Sequence, residues 1–281
     1  MDSKKIVAIA CILLITVFVF LFSTSLENFS NETAKNHVLH AVIIDQLYHD
    51  VPNDYFDKTA SNHLKKLGYA VDVYTTENAT VDLFRNLPSM NYDFIVFRGH
   101  ALHASKEDDA VMIFTGEKYA EDKYVQEQLF GQIKKGTPLL ERTFSIDEKN
   151  NTGWVYINGS KNIKMITSHV QISDKSREEF FLFSPKSVND LMKGKFNKSI
   201  ILLGGCSTLK NDSIAKALVE RGASKVVGWT DLIGSSDNDR ALLQILQKMA
   251  DEKLSVTDAT NKVKETPINN PKYDAKLEIF G

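Results

Sequence analysis

Residues 199–231 read SIILLGGCSTLKNDSIAKALVERGASKVVGWTD and contain one complete strand–helix–strand unit. The continuous apolar run at 200–203 is typical of a parallel strand that is covered on both faces. Cap-type residues at 211–213 begin a helix with an apolar stripe, and Gly222 stands where that helix ends. A second apolar strand follows at 225–229. This order predicts a fold of the α/β class, with helices packed on a mainly parallel sheet.

Reactive side chains follow several predicted strands at the point where each strand ends. Cys206 comes directly after the first strand of this unit, and Asp231 after the second. Upstream, residues 93–97 form another short apolar strand, which leads into Arg98-Gly99-His100. Parallel strands place their carboxyl ends at one edge of the sheet, where sites in open α/β proteins lie. Because an imidazole can take the proton of a neighbouring thiol, His100 and Cys206 are candidates for base and nucleophile.

A further set of motifs extends from residue 183 to residue 263. They are FSPKSVNDLMKGKFNKSIILLGGCSTL at 183–209, the pair Gly222-Ala223, Trp229, Asp231, and LSVTDATNKV at 254–263. Together with residues 93–100 they resemble the core of the CHAT and caspase-like cysteine peptidases, the wider group that includes the clostripain-like and gingipain-like enzymes. The resemblance implies a caspase-type fold, in which a mainly parallel, doubly wound sheet carries helices on both faces.

The resemblance also implies roles for the residues around the two candidates. It makes Cys206 the nucleophile and His100 the catalytic histidine, acting largely as a dyad. The oxyanion hole uses backbone N–H groups close to them, here near Gly99, Ala101 and Gly205. Ala101 stands where the family commonly has glycine, and alanine retains the N–H that the hole needs. The glycines have an alternative role as turn residues, because the chain bends sharply where a strand ends.

Two acidic residues at the same predicted edge are candidates for contact with substrate. In clostripain-like relatives an acidic residue after the second strand binds a basic P1 side chain, and the resemblance assigns this role to Asp231. Asp231 alternatively caps a turn. Asp45 ends the first strand of the domain and either lines the pocket or caps its own turn. The expected substrate is therefore a peptide that is cleaved after Arg or Lys.

Composition and spacing argue against other kinds of site. His100 and His103 are three residues apart, but no carboxylate or cysteine completes a zinc set, so neither a metal nor a cofactor is expected. The net charge of -2 gives no reason to expect nucleic acid as a partner. The second cysteine, Cys11, lies in an apolar N-terminal segment, so Cys206 is the only thiol of the remaining chain.

The sequence after that segment predicts one soluble domain over residues 37–281. Its first part alternates strands with helices, which gives a β-α-β-α-β order with right-handed crossovers. Residues 101–180 form a less regular insertion, with a predicted helix at 123–133 and a hairpin around Asn158-Gly159. The insertion is interpreted as a substrate-binding flap or an autoinhibitory segment. No element is predicted from Pro267 onward.

The N-terminal segment predicts membrane attachment. Residues 6–23 are uncharged and mostly apolar, close to the roughly 20 residues that a bilayer-spanning helix needs. Lys4 and Lys5 precede this run, so the positive-inside rule leaves residues 1–5 in the cytoplasm. Residues 24–36 then form a polar stalk outside the cytoplasm. The alternative is a cleaved signal peptide, which also exports the domain.

These expectations combine into one function and two alternatives. The expected function is a membrane-anchored, extracytoplasmic cysteine endopeptidase that cleaves after basic residues. The first alternative is a binding or scaffold domain of the same fold at the cell surface, in which Ala101 marks the loss of catalysis. The second is a nonproteolytic hydrolase on the same scaffold.

Overall fold

A computed structural model describes residues 38–104, 109–136, 179–265 and 274–281, and the backbone of three further strands between residues 142 and 166. The strands are β1 His40–Asp45, β2 Ala70–Thr75, β3 Phe94–Arg98, β4 Ala101–Ala104, β5 Ala110–Lys118, β6 Ile133–Gly136, β7 Arg142–Asp147, β8 Thr152–Ile157, β9 Ser160–Ile166, β10 Phe180–Phe183, β11 Ile200–Gly204, β12 Lys225–Trp229 and β13 Leu277–Phe280. The α-helices are α1 Asp54–Lys66, α2 Val81–Asn86, α3 Val125–Leu129, α4 Pro185–Leu191, α5 Ser213–Glu220, α6 Ser235–Glu252 and α7 Val256–Lys264.

Six of these strands form a central sheet with the order β13-β12-β11-β3-β1-β2. Neighbouring strands pair in parallel, except that β13 runs antiparallel to β12. Helix α1 connects β1 to β2, α2 lies between β2 and β3, and α5 connects β11 to β12. The predicted α/β class and the mostly parallel sheet are therefore confirmed.

Apolar side chains cover both faces of the central sheet, because successive residues of a strand point to opposite sides. In β3, Ile95 and Phe97 enter one core with residues of α2, α4 and α5. Phe94 and Val96 enter the other core with residues of α1, α6 and α7. Helices thus pack on both faces and leave the carboxyl edge of the strands to the loops.

Polar side chains fix the start of several helices. Four N-cap residues accept a hydrogen bond from a backbone N–H of the first turn: Asn53, Thr80, Ser184 and Ser255. Each such cap contributes about 1 kcal/mol by satisfying a donor that the helix itself leaves unpaired. The caps set where α1, α2, α4 and α7 leave the loops.

The predicted insertion at 101–180 contributes strands to two antiparallel sheets. Strands β4, β5, β10 and β6 form one in that order, and β7, β8 and β9 form the other. The predicted hairpin is confirmed by the antiparallel pairing of β8 with β9. The predicted helix at 123–133 is wrong outside α3, because Gly131 takes a left-handed φ of +64° and Ile133 begins β6. None of the residues of α3 is buried, whereas Ile133 pairs with Phe183 in β10.

Strand β13 has no counterpart in the sequence prediction. It pairs with β12 from Val226 opposite Phe280 to Trp229 opposite Leu277. The four residues LEIF are too few to show a strand pattern by themselves, and pairing with a distant strand decides their structure. The chain end therefore belongs to the central sheet.

No helix in the described part of the chain is long and apolar enough to cross a bilayer. The predicted anchor at 6–23, the stalk at 24–36 and the hairpin turn at Asn158-Gly159 lie outside the described residues. Membrane attachment accordingly stays a prediction from sequence. The candidate site, by contrast, lies at strand ends that are described.

Candidate active site

The carboxyl ends of β3 and β11 lie level with each other at one edge of the central sheet. Arg98, the last residue of β3, is in register with Gly204, the last residue of β11. Just beyond them the N–H of Gly99 donates a hydrogen bond to the carbonyl of Gly204 at 2.8 Å. His100 follows the end of β3 by two residues, and Cys206 follows the end of β11 by two residues. The two candidates thus stand on adjacent strand ends, as the sequence predicts for parallel neighbours.

Two glycines stand at these strand ends where a side chain would not fit. A Cβ on Gly205 would lie 2.6 Å from the carbonyl oxygen of Gly99, closer than real side chains come. A Cβ on Gly99 would lie 2.1 Å from the ring of Phe97. Both glycines therefore have the turn role that the sequence allowed. The N–H of Gly99 is donated to a carbonyl, so Gly99 does not offer it to an oxyanion.

His100 is held firmly by its backbone and its ring. Its N–H donates to Oε1 of the buried Gln46 at 2.8 Å, and its carbonyl accepts from the N–H of Phe114 at 3.0 Å. The imidazole meets the ring of Phe114 edge to face, with the ring centres 6.0 Å apart. Its side chain is 14% exposed. These contacts restrict the orientation of the imidazole.

Asp50, a carboxylate that sequence reasoning did not identify, lies beside the imidazole. Its Oδ2 lies 3.5 Å from Nε2 of His100, and its side chain is partly exposed. Nε2 is buried and makes no hydrogen bond in the structure. The sequence offers a signal only in hindsight, since Asp50 follows β1 as His100 follows β3.

Cys206 lies partly buried in the turn after β11. Its thiol donates a weak hydrogen bond to the carbonyl of Ile233, with the sulfur 3.5 Å from the oxygen. The next residue, Ser207, has a left-handed φ of +57°, which is uncommon for a residue with a side chain. The N–H of Ser207 donates to the carbonyl of Asp231 at 2.9 Å. Such backbone strain concentrates at functional sites because the surrounding structure has to hold it in place.

Thr208 ties the cysteine turn to the neighbouring strands. Its buried hydroxyl donates to the carbonyl of Leu203 at 3.0 Å and accepts from the N–H of Trp229 at 2.9 Å. The N–H of Leu209 donates to the carbonyl of Trp229 at 2.8 Å. Backbone hydrogen bonds and one hydroxyl therefore set the position of the thiol.

Ala101 presents a backbone N–H beside the cysteine turn. The hydrogen bond between Phe114 and His100 makes them a bonded pair of the β4–β5 ladder. Bonded and non-bonded pairs alternate in antiparallel ladders, so the pair of Ala101 with Ile113 directs the N–H of Ala101 away from β5. A Cβ on Gly205 would lie 3.4 Å from the Cβ of Ala101. The oxyanion role of Ala101 stays a prediction from the resemblance.

Asp231 emerges from β12 as predicted, but its carboxylate already has a cationic partner. Nζ of Lys210 lies 2.7 Å from Oδ2, and the aspartate side chain is 41% exposed. The N–H of Leu232 donates to Oδ1 at 2.8 Å. The hydrogen bond from Lys210 lowers the pKa of Asp231. Both roles considered from sequence, turn cap and cation binding, are compatible with this geometry.

Asp45 belongs to a buried ionic cluster and does not line a pocket. Its Oδ1 accepts from the guanidinium of Arg98 at 2.8 Å and from the N–H of Leu47 at 3.0 Å. Asp239 on α6 accepts from Nε and from a terminal nitrogen of the same guanidinium at 2.7 and 2.8 Å. The predicted substrate contact of Asp45 is corrected, because none of its side chain reaches solvent. The turn role is the one that the structure supports.

Sequence reasoning missed the importance of Arg98. The available signal was an arginine at the end of an otherwise apolar strand, because a buried guanidinium requires carboxylate partners. The guanidinium carbon of Arg98 also lies 5.3 Å from the ring centre of Phe56. Asp239 lies far away in sequence and carried no such signal.

Asp57 on α1 adds a third carboxyl group to this cluster. Its Oδ1 is buried and makes no hydrogen bond. Burial, reinforced by the charges of Asp45 and Asp239, raises the pKa of Asp57 to about 7. Near neutral pH this group therefore carries a proton part of the time, which limits the excess of negative charge around Arg98.

Other chemistry has less support among the described residues. His103 contacts Asp109 and Asn211 at 2.7 and 3.3 Å, and no described cluster of three His, Cys, Asp or Glu surrounds a metal position. A cavity of about 250 Å³ lies beside Trp229 and β13, and an open groove of about 630 Å³ runs between α1 and α6. Neither His100 nor Cys206 lines either space.

The geometry of the strand ends thus agrees with a thiol–imidazole site, while its assignment to a family depends on the resemblance of the motifs alone. A comparison of the chain with protein-family models and with curated proteins gives no match.

Proposed function

We propose that this chain is a cysteine endopeptidase of the caspase-like type, in which His100 and Cys206 form the catalytic dyad. The observation that supports it most is the alignment of the two strand ends by the hydrogen bond from Gly99 to Gly204. The parallel sheet with helices on both faces agrees with the fold that the resemblance implies. The thiol and the imidazole then act on a carbonyl placed at this edge.

The proposed reaction is acyl transfer. His100 takes the proton of the Cys206 thiol, and the thiolate attacks the carbonyl carbon of the scissile peptide bond. The N–H of Ala101 donates to the oxyanion of the tetrahedral intermediate. His100 then gives the proton to the leaving amine as the C–N bond breaks. Water attacks the thioester, His100 takes a proton from it, and the acid leaves as the thiol is restored.

The proposal includes a preference for Arg or Lys at P1. Asp231 would accept the charged side chain of the substrate, which requires Lys210 to move away from its carboxylate. An exposed ion pair of this kind contributes about 0–1 kcal/mol, so its displacement costs little. In the free protein, Lys210 thus occupies the position on Asp231 that the charged P1 side chain would take.

The proposed setting is outside the cytoplasm. The apolar run at 6–23 would anchor the chain in the membrane, and residues 24–36 would separate the domain from it. The partners are then the membrane, through this helix, and a peptide or protein substrate. Neither a cofactor nor nucleic acid enters the proposal.

A fluorogenic peptide library, incubated with the purified full chain, tests this function. We expect cleavage after Arg and Lys, and a loss of about 10³-fold or more in Cys206→Ala and in His100→Ala. His63→Ala, which changes a histidine on α1, is the matched control and retains activity. Absence of cleavage of every peptide, or activity that persists in Cys206→Ala, would refute the proposal. A preference for Asp at P1 would remove only the proposed role of Asp231.

A second candidate is a binding domain without catalysis. It is favoured by the hydrogen bond from Cys206 to Ile233 and by the apolar cluster against which Cys206 packs, since both stabilise a neutral thiol. Alkylation by iodoacetamide distinguishes the two candidates. A catalytic Cys206 reacts rapidly below about pH 7 and depends on His100, whereas a structural one reacts slowly with or without it.

A further inference from the structure

The environment of the imidazole contains a carboxylate that the dyad does not use. Oδ2 of Asp50 lies 3.5 Å from Nε2 of His100, which is buried and makes no hydrogen bond. We propose that Asp50 positions His100 by accepting a hydrogen bond from Nε2, which leaves Nδ1 to take the proton of Cys206. This inference rests on the proposed function, because it assigns a task within the same reaction.

The loop that carries Asp50 is tied to the strand that carries His100. The N–H of Val51 donates to the carbonyl of Leu47, and its carbonyl accepts from the guanidinium of Arg98, both at 2.8 Å. Arg98 stands two residues before His100 in the chain. Its buried side chain therefore links the loop that carries Asp50 to the strand end that carries His100. The carboxylate is held beside the ring by this structure and does not depend on a flexible side chain alone.

Gln46 completes the tie between loop and histidine. Its side chain accepts from the N–H of His100 at 2.8 Å, and its own N–H donates to the carbonyl of Arg98 at 2.8 Å. Its carbonyl accepts from the hydroxyl of Thr76 at 2.9 Å, which fixes the loop to the end of β2. A displacement of the loop backbone around Asp50 would therefore break hydrogen bonds of Gln46 and Val51.

The chemistry of imidazole explains why this position matters. A neutral ring has one N–H and one lone pair, and the partner of one nitrogen decides which nitrogen carries the proton. A carboxylate at Nε2 favours the tautomer with the proton there, so the lone pair of Nδ1 is available to the thiol. Once Nδ1 has taken that proton, the adjacent negative charge stabilises the imidazolium.

The groups that face the ring differ in charge. Asp50 comes from the loop after β1 and is acidic, whereas Gln46 and Phe114, which contact the backbone and the ring, are uncharged. The contact of 3.5 Å is long for a hydrogen bond, but catalytic hydrogen bonds are often long in the free enzyme and shorten with substrate bound. Asp50 is thus a positioning residue that acts through His100.

The test compares Asp50→Asn with Asp54→Asn, a neighbouring exposed carboxylate on α1, in the full chain. We expect Asp50→Asn to lower kcat about 10- to 100-fold with KM unchanged, and Asp54→Asn to match the unchanged protein. We also expect alkylation of Cys206 by iodoacetamide near pH 6 to slow about 10-fold in Asp50→Asn alone, because the ion pair loses its stabilising charge. Asp50→Glu restores part of both rates if the carboxylate is what matters.

The two readouts separate this inference from the proposed function. If no peptide is cleaved but Asp50→Asn still slows alkylation near pH 6, the positioning role stands and the peptidase proposal fails. If peptides are cleaved and Asp50→Asn equals Asp54→Asn in both readouts, the inference is overturned. A rise in KM alone, or equal loss in Asp50→Glu with a normal melting temperature, overturns it as well.

Discussion

The two halves of the candidate site are built in different ways. On the histidine side, the buried guanidinium of Arg98 binds Asp45 and Asp239 and also holds the loop that carries Asp50. On the cysteine side, backbone hydrogen bonds hold the turn, and the ion pair of Lys210 with Asp231 beside it is exposed. We therefore expect the loss of a single charge on the histidine side to lower the stability of the fold strongly. Loss of the exposed pair on the cysteine side should change stability little.

The largest loss of stability is expected from Arg98→Met, because it removes the cation of the buried cluster on the histidine side. It leaves Asp45 and Asp239 buried without their cation, and loss of one partner of a buried ion pair costs about 3–5 kcal/mol. Urea unfolding followed by tryptophan fluorescence measures the free energy of unfolding. Lys66→Met, which removes an exposed pair with Asp251, is the control. A loss below about 1 kcal/mol in Arg98→Met would contradict the importance given to the cluster.

A smaller effect concerns the pH dependence of the same cluster. The folded-state pKa of Asp57 is raised to about 7, so the folded protein binds more protons than the unfolded chain above about pH 4. The contribution of Asp57 to the free energy of unfolding is full below the pKa that Asp57 has in the unfolded chain. It is lost as the pH rises through the pKa that Asp57 has in the folded protein. Asp57→Asn, which cannot ionise, is expected to raise the free energy of unfolding at about pH 8 by about 1–2 kcal/mol, after allowance for partial exposure.

The measurement is the free energy of unfolding between about pH 5 and pH 8. The slope with pH should be smaller in Asp57→Asn than in the unchanged protein. Asp122→Asn, which changes an exposed carboxylate between β5 and α3, is the control and should leave the slope as it is. An unchanged slope in Asp57→Asn would mean that its carboxyl group titrates as it does in the unfolded chain.

The smallest effect on stability is expected from Lys210→Met on the cysteine side. An exposed pair contributes about 0–1 kcal/mol, so unfolding should change by less than about 0.5 kcal/mol. The same change frees Asp231, and kcat/KM should rise about 3-fold for Arg or Lys at P1 and stay constant for Ala. Equal changes in kcat/KM for all peptides would show that Lys210 and Asp231 do not determine the P1 preference.

The contrast between the two halves also explains what the sequence could show. The strand–helix–strand unit, the turn glycines and the positions of His100 and Cys206 after strands depend on local patterns. The structure confirms the unit and the parallel pairing of β3 with β11, and the roles of His100 and Cys206 stay predictions. Asp239, Gln46 and Asp50 act through contacts that fold distant or irregular segments together, and no periodicity marks them. For Asp45 the sequence left the pocket and turn roles open, because it shows the strand end but not the guanidinium that buries the carboxylate.

The same limit applies to secondary structure. Strand β13 exists because it pairs with β12, and α3 is short because none of its residues is buried while the chain beyond it joins β10. A helical pattern without an apolar face against the core predicts little. Long-range pairing therefore decided the elements that local propensity missed.

Disulfide formation between residues 100 and 206 tests the central claim most directly. Neighbouring strands lie about 4.8 Å apart, and disulfides join Cα atoms about 4.4–6.8 Å apart. In the full chain with Cys11→Ser, His100→Cys should therefore form a disulfide with Cys206 under mild oxidation, and His103→Cys should not. Mass spectrometry after alkylation counts the free thiols. Loss of both thiols in the His100→Cys variant is the expected result, whereas two free thiols in a folded protein would contradict the juxtaposition of His100 and Cys206.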